Sequence, residues 1–581
     1  MKPLLLAYIH NIIRLKPRYT TAVLLLLLSI TALSGVAQSF DNLKSQKPFT
    51  INGGLEIRQT LYNANGIPNR SQANSYFLSG SATINIYNFS IPISATYSPS
   101  ARSFSQPFNQ FGVSPTYKWI TLHAGYRNVE FSPYTLGGHT MLGGGLELKP
   151  GLLRFGFMYG RLNRATTVDT TTQALVPFSF SRKAIAVKLG LGTDRNFFEF
   201  SYLRARDDST SVSRKDVRPQ DYITPSSNDV LGYSNKFTFF KRLTFENRAA
   251  ISVYTRDINS PISIDSVDSP ILKKLKDLNT LNGTTEFYTA LDASLTYRAK
   301  YYGLKVEYKR IDPEFKTMGS YFFNSDLESW TFGPSLSIFK NKVRISGNVG
   351  FQHDNLLNQK RTTNKRFIGS GNASIEISKP LAMDINYSNF SNDQQPNTVR
   401  FPDSLRIVQT TQNFTVSPRY TILKQSTMQV ISASVNMNKL NDFNRIITSN
   451  SVSSSTIDTK QYLLVYTLNF IKKGIGLFIN VNRTDLTSQT IDNTYQGVTL
   501  GGYGSFLKNK LQLNLNNSVI QGISKEGKSL IINTSGSANY KITRKQGFKY
   551  AFFFTSNNPT PGSSQKNYTE LKNEISYLLN F

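Results

Sequence analysis

Cysteine is absent from the 581-residue chain. That excludes a disulfide framework, a thiol nucleophile and a thiolate metal site. Histidine is scarce: after the first few residues only His123, His139 and His353 remain, none of them in a short-spaced metal-binding pair. Charged side chains make up 18% of the chain, against roughly 25% in ordinary soluble domains. Mean hydropathy is nevertheless −0.30, and no apolar run after residue 37 is long enough to cross a bilayer as a helix. No G-x-S-x-G elbow, Gly-rich phosphate loop or H-E-x-x-H motif occurs. Neither a catalytic centre nor a cofactor or metal site is therefore expected.

One apolar run does stand near the start. Residues 1–19 carry Lys2, Arg14, Lys16 and Arg18 with no acid, residues 22–33 read AVLLLLLSITAL, and Gly35-Val36-Ala37 supplies small residues for a signal peptidase. The chain is expected to be exported, with residues 1–37 removed and 38–48 left as a short N-terminal segment. No cysteine follows the cut, so no lipoprotein anchor is expected.

A polar, exported chain without membrane helices can still span lipid as a closed barrel. Every backbone group is then paired, and each strand offers lipid only every second side chain. The sequence carries that dyad pattern repeatedly. Phe367, Gly369, Gly371, Ala373, Ile375 and Ile377 alternate with Ser370, Asn372, Ser374, Glu376 and Ser378. After Lys379-Pro380, Leu381, Met383, Ile385 and Tyr387 alternate with Ala382, Asp384, Asn386 and Ser388, the partner strand of a hairpin. Val343, Ile345, Val349 and Phe351, and likewise Leu511, Leu513 and Leu515, repeat the pattern.

Short turns are expected near Tyr87-Asn88, Lys118-Trp119, Lys149-Pro150, Gly192-Thr193, Lys241-Arg242, Lys300-Tyr301, Lys340-Asn341, Lys379-Pro380, Leu423-Lys424, Lys472-Lys473, Lys508-Asn509 and Arg544-Lys545. Longer polar segments, such as 207–228, 257–284 and 440–456, alternate with them. Short periplasmic turns and long extracellular loops then give a single large antiparallel transmembrane β-barrel over residues 49–581, all-β, of about 26 strands with a range of 22–26. Pro334 interrupts one expected strand, and residues 99–119 carry the weakest pattern. Tyr87, Phe89, Trp119, Phe239, Phe240, Tyr301, Tyr302, Phe339, Phe470 and Phe506 cluster beside the short turns as a lower aromatic girdle.

The chain ends Tyr-Leu-Leu-Asn-Phe, with Tyr577, Leu579 and Phe581 on one face of an extended segment. Asn573 is the exception on that face. Leader, alternating strands and terminal aromatic together resemble the porin-like outer-membrane β-barrel proteins of Gram-negative bacteria, and the Asn- and Tyr-rich strands with basic turns look like the Bacteroidota kind. The resemblance implies residence in the outer membrane as a multi-pass barrel, contact with outer-membrane lipid, and Tyr577, Leu579 and Phe581 as the signal read by the barrel-assembly machinery.

About ten residues separate the expected cut from the first strand, which leaves no room for an N-terminal plug. At a strand spacing of about 4.8 Å and a tilt near 40°, some 26 strands enclose a cylinder on the order of 50 Å wide. A hole of that width would breach the membrane. Inward loops or a protein partner are therefore expected to occlude it, with residues 131–139 and the PILKKLKDLNTL stretch at 270–281 as candidates.

Net charge is +30, and +26 without the four basic leader residues. Arg154, Lys188, Arg298, Lys305, Lys309 and Arg344, with Glu147, Glu199, Asp292, Glu307, Glu376 and Asp384, fall on polar strand faces and are expected to line the lumen. A basic lumen would favour anionic solutes or lipid head groups. No basic cluster with interleaved stacking aromatics points to nucleic acid. The functional expectation is a porin-like transport channel, with a structural barrel of a protein secretion or surface-display assembly as the alternative. An outer-membrane hydrolase is the distant third, since His123 lies on a strand and His353 at a strand end.

Overall fold

The structure is a computed structural model that describes residues 49–87, 89–97, 110–166, 179–213, 223–262, 281–320, 324–396, 407–444, 453–563 and 565–581. The expected leader and nearly all of the 270–281 stretch lie outside the described residues. Among them the regular structure is entirely β, from β1 (Phe49–Asn65) to β27 (Tyr568–Asn580). Each strand pairs antiparallel with its neighbours in sequence. The short segments β4 (Gln110–Val113) and β5 (Thr116–Tyr117) both lie between β3 (Phe89–Tyr97) and β6 (Ile120–Asn128), so they are halves of one strand interrupted at Ser114-Pro115. The wall thus has 26 strands.

Closure falls at the two ends of the chain. Strand β1 pairs with β27 from Gly54↔Asn580 to Asn65↔Thr569. One further step is made by Phe581 itself, whose N–H donates to the Gly53 carbonyl (3.1 Å) while its carbonyl accepts from Gly53 N–H (3.0 Å). Tyr577, Leu579 and Phe581 stand opposite Ile57, Leu55 and Gly53, on the seam's apolar face. Asn573 shares that face and accepts a 2.8 Å hydrogen bond from the Tyr550 hydroxyl, which satisfies its carbonyl oxygen beside apolar neighbours. On the polar face Tyr62 donates to Glu570 (2.5 Å) and Ser576 to Glu56 (3.3 Å).

All twelve expected turns coincide with the short connections, from β2 (Asn74–Ile86) to β3 through β25 (Gly527–Lys541) to β26 (Gln546–Pro559). The sequences FFKR at 239–242, FKNK at 339–342 and LKNK at 507–510 place their two central residues at positive φ. In each, the N–H of the fourth residue donates to the carbonyl of the first. This is the type I′ geometry, whose twist matches that of the flanking strands. Trp119, Phe240, Tyr301 and Phe339 are exposed beside these turns, as the girdle requires. The Phe89 side chain lies outside the described residues.

Pro334 sits within β15 (Leu327–Ile338). It pairs with Leu304 on one side, while toward β16 (Val343–His353) the ladder skips Gly333 and Pro334 and resumes in the same register at Ser335↔Ser346. The interruption at Pro334 thus costs two residue pairs of the ladder without moving the strand.

The two strand faces reverse the pattern of a soluble protein. In β10 (Phe197–Asp208), Phe198, Phe200 and Tyr202 are exposed, while Glu199 and Ser201 between them, and Asp207 further along the same face, are buried. Leu122, Leu189, Leu231, Ile251 and Leu295 continue the exposed apolar belt. Such a belt is stable only against hydrocarbon, so it faces lipid and the polar face turns inward.

The seam yields a prediction. A Cβ on Gly53 would lie 2.3 Å from the Ser81 carbonyl oxygen, 2.6 Å from the Ala82 Cα and 3.0 Å from the Phe581 ring. Gly53→Val should prevent closure and sharply lower the fraction of heat-modifiable folded barrel on semi-native gels. Gly371→Ala, where a Cβ meets nothing within 4 Å, should leave that fraction unchanged.

Candidate functional site: the polar wall and its inner loops

On the polar face of β8 (Leu153–Asn163) to β15, two loops pack against the wall and against each other. The first, residues 129–139, leaves β6 and folds into a compact turn. Phe131 N–H donates to the Leu136 carbonyl (2.8 Å) and Thr135 N–H to that of Ser132 (3.1 Å). Pro133 presets the backbone inside the turn, and Gly137 leaves room where a Cβ would meet the Ser132 carbonyl oxygen at 2.8 Å. Phe131, Tyr134, Leu136 and His139 are buried.

The second loop, residues 312–320, locks onto the first. Thr317 Oγ1 donates to the Thr135 carbonyl (2.7 Å), Gly137 N–H donates to the Gly319 carbonyl (2.9 Å), and the Tyr134 and Phe315 rings meet edge to face with centroids 6.0 Å apart. Both loops are also tied to the wall. Thr135 donates to Ser201 (3.1 Å), Tyr134 OH to Asp292 (3.4 Å), Ser252 to the Lys316 carbonyl (2.7 Å), and Met318 N–H to Asn228 (3.0 Å). Val129, Phe131, Tyr134, Leu136, Phe315 and Met318 complete an apolar cluster with Met158, Leu203, Val230 and Ile311. Burial of the phenol, then the Asp292 charge, raises the Tyr134 pKa, so the hydroxyl stays a neutral donor.

All twelve charged residues singled out in the sequence fall on the polar face. Arg154 pairs with Glu199 (2.5 Å) and, at the neighbouring turn, with Asp194 (2.8 Å). The Arg154 guanidinium holds the exposed Asp194 carboxyl below its usual range. Lys188 reaches Glu147 (3.8 Å) and lies under the Phe131 ring, its ammonium 4.9 Å from the centroid. Asp292 meets Arg248 (3.8 Å) and stands opposite Lys309 in the ladder, and Lys305 pairs with Glu307. Arg298, Arg344, Glu376 and Asp384 stand apart from this cluster, opposite Gly303, Ser374, Ala382 and Ser374 respectively. Much of the basic excess on this wall is therefore neutralised locally by carboxylates.

Of the two expected inner loops, residues 131–139 pack on the wall, while 270–280 lie outside the described residues. The 312–320 loop was not anticipated. Its only sequence signal is the Gly-ended run Phe315-Lys-Thr-Met-Gly319. A second unanticipated grouping lies on β5 to β7 (Thr140–Leu148). Ser114 Oγ is 2.9 Å from His123 Nδ1, and His123 Nε2 is 3.3 Å from Glu147 Oε1. Among the described residues no group of His, Asp and Glu could hold a metal ion.

No family model and no curated protein matches this chain. Similar solved structures include the P pilus usher (PapC) translocation pore, 11% identical with a TM-score of 0.35, covering 91% of this chain and 99% of that one. OccK8 (OprE) of Pseudomonas aeruginosa is 11% identical with a TM-score of 0.28, covering 69% and 98%. The FrpB iron transporter of Neisseria meningitidis is 9% identical with a TM-score of 0.37, covering 91% and 82%. At such scores these likenesses add nothing to what the strand pairing already shows. The closed wall, apolar belt and turn girdle of this chain define a transmembrane β-barrel.

The inner loop yields a pH prediction. Burial pushes the His139 imidazole down to about 4, against a hydrogen bond to the Thr140 carbonyl that raises it and the nearby Arg182 charge that lowers it. A detached loop would protonate near 6.5, so between these values the detached state binds the extra proton and packing weakens as pH falls. The limit is about 3 kcal/mol. Hydrogen exchange across residues 131–139, corrected for intrinsic rates, should accelerate between pH 6.5 and 4, and His139→Gln should abolish that pH dependence.

Proposed function

We propose that this protein is an outer-membrane transport channel whose lumen is occluded by its own inner loops. The observation that carries the reading is the 129–139 segment. It leaves the strand end and packs on the polar wall, locked by the Thr317–Thr135 hydrogen bond, rather than extending into solvent. A barrel serving only as a scaffold needs no such device, whereas a wide pore without one would dissipate gradients. The twelve charged residues line the passage in this reading, and their pairing as carboxylate–cation couples suits small polar solutes of either sign better than anions alone. Lipid contacts the apolar belt, and the terminal Tyr577, Leu579 and Phe581 serve the assembly machinery as well as the seam.

Planar-bilayer recording of the purified barrel tests the proposal. The wild type should show small or rare conductance steps. Replacing Phe131–Leu136 by a Gly-Ser linker of equal length, or Leu136→Asp with Thr317→Val, should give larger, long-lived ones. A wild type already as conductive as the loop variant overturns occlusion. Silence in both, with a stoichiometric protein copurifying, overturns the channel in favour of the secretion or display scaffold.

A further inference from the structure

We infer that the polar wall near the short-turn end carries a serine-hydrolase site built from Ser114, His123 and Glu147. The three residues come from neighbouring positions of the wall. Ser114 stands at the break between β4 and β5, where Pro115 interrupts the ladder and frees the side chain from regular strand geometry. His123 is central in β6, and Glu147 lies near the end of β7. The distances, 2.9 Å from Ser114 Oγ to His123 Nδ1 and 3.3 Å from His123 Nε2 to Glu147 Oε1, are those of a nucleophile, a base and the carboxylate that orients the base. With the proton on Nε2, that nitrogen donates to Glu147 and Nδ1 is left to accept from Ser114. The second Glu147 oxygen faces the Lys188 ammonium at 3.8 Å. The His123 side chain is 9% exposed.

A cation is joined to the serine's backbone through one shared acceptor. Arg127 Nη2 donates to the Pro92 carbonyl (3.1 Å), the same oxygen that accepts the Ser114 N–H (2.9 Å). The Arg127 guanidinium and the Ser114 backbone therefore meet on one atom. Arg127 Nε is buried and has no hydrogen-bond partner among the described residues. Gly112 leaves the space it occupies, since a Cβ there would lie 3.0 Å from that nitrogen. A buried, unpaired cationic N–H costs free energy that an incoming oxyanion would recover.

The substrate class is a carboxylic ester that reaches the lumen. Ser114 Oγ bonds to the ester carbonyl carbon as its proton passes to His123 Nδ1, and the charge gathers on the carbonyl oxygen facing Arg127. Collapse breaks the bond to the alcohol oxygen, which leaves with the His123 proton. Water, giving a proton to His123, then attacks the acyl-serine and releases the acid, and the proton returns to Ser114.

The experiment uses the full-length barrel folded in detergent, a fluorophosphonate probe with mass-spectrometric mapping, and hydrolysis of p-nitrophenyl butyrate. Ser114 should be the labelled serine. Ser114→Ala should abolish both signals, and His123→Gln should lower them about 100-fold or more with heat-modifiability retained. Glu147→Gln should reduce kcat with little change in KM, as expected of a positioning residue. A folded barrel in which Ser114 stays unlabelled, or labels equally with His123→Gln, overturns the inference. If Ser114→Ala does not fold, Ser114→Thr and the His123 variant carry the same test. Conductance is read separately, so failure here leaves the channel proposal standing, and the reverse.

Discussion

The constraint on which everything else rests is that no backbone N–H or C=O may remain unpaired in hydrocarbon. A sheet of 26 strands meets it only by closing, and closure here depends on a single seam between the two ends of the chain. The rungs on either side of Gly53 show how tight that seam is. The Phe581 backbone completes the ladder, its ring lies beside Gly53, and the absence of a Cβ there lets both strands approach. Pro334 illustrates the tolerance of the same system, since two missing pairs are accepted where the neighbouring pairs keep register.

Closing so many strands creates a second problem, a lumen far wider than side chains alone can fill. Part of the polar wall is covered locally. Most of the wall has intermediate exposure, while β8 to β15 carry a buried cluster made by the 129–139 and 312–320 loops. Polar residues hold these loops at defined points, with Ser201, Asn228, Ser252 and Asp292 each contributing one hydrogen bond from a different strand. Apolar packing between Phe131, Leu136, Phe315 and Met318 then fills the spaces between those anchors. The charged wall beneath is paired rather than open, so buried carboxylates such as Glu199 are met by cations within the same surface.

Much of the barrel was legible in the sequence because strand alternation is a local property. Phe367 to Ile377 and Leu381 to Tyr387 announce their faces within one hairpin, and the observed pairs, Gly371↔Tyr387 and Ile375↔Met383, follow from the turn at Lys379-Pro380. The FKNK and LKNK turns were equally visible, since the turn conformation is set by the residues that occupy it. The 131–139 loop could be suspected from its Gly and aromatic content. The 312–320 loop could not, because what makes Thr317 and Met318 matter is a surface presented by Thr135 and Asn228, far away along the chain.

By itself, then, the sequence determined the class of architecture, the positions of the twelve short turns and the division of each strand into an apolar and a polar face. These depend on side-chain periodicity and turn chemistry over a few residues. Only the tertiary structure decided which polar residues meet. Ser114, His123 and Glu147 carry no shared motif, and Thr135 and Thr317 lie 182 residues apart. Strand register and closure bring them together, because a barrel wall fixes the neighbours of every side chain across strands as firmly as the chain fixes them along one.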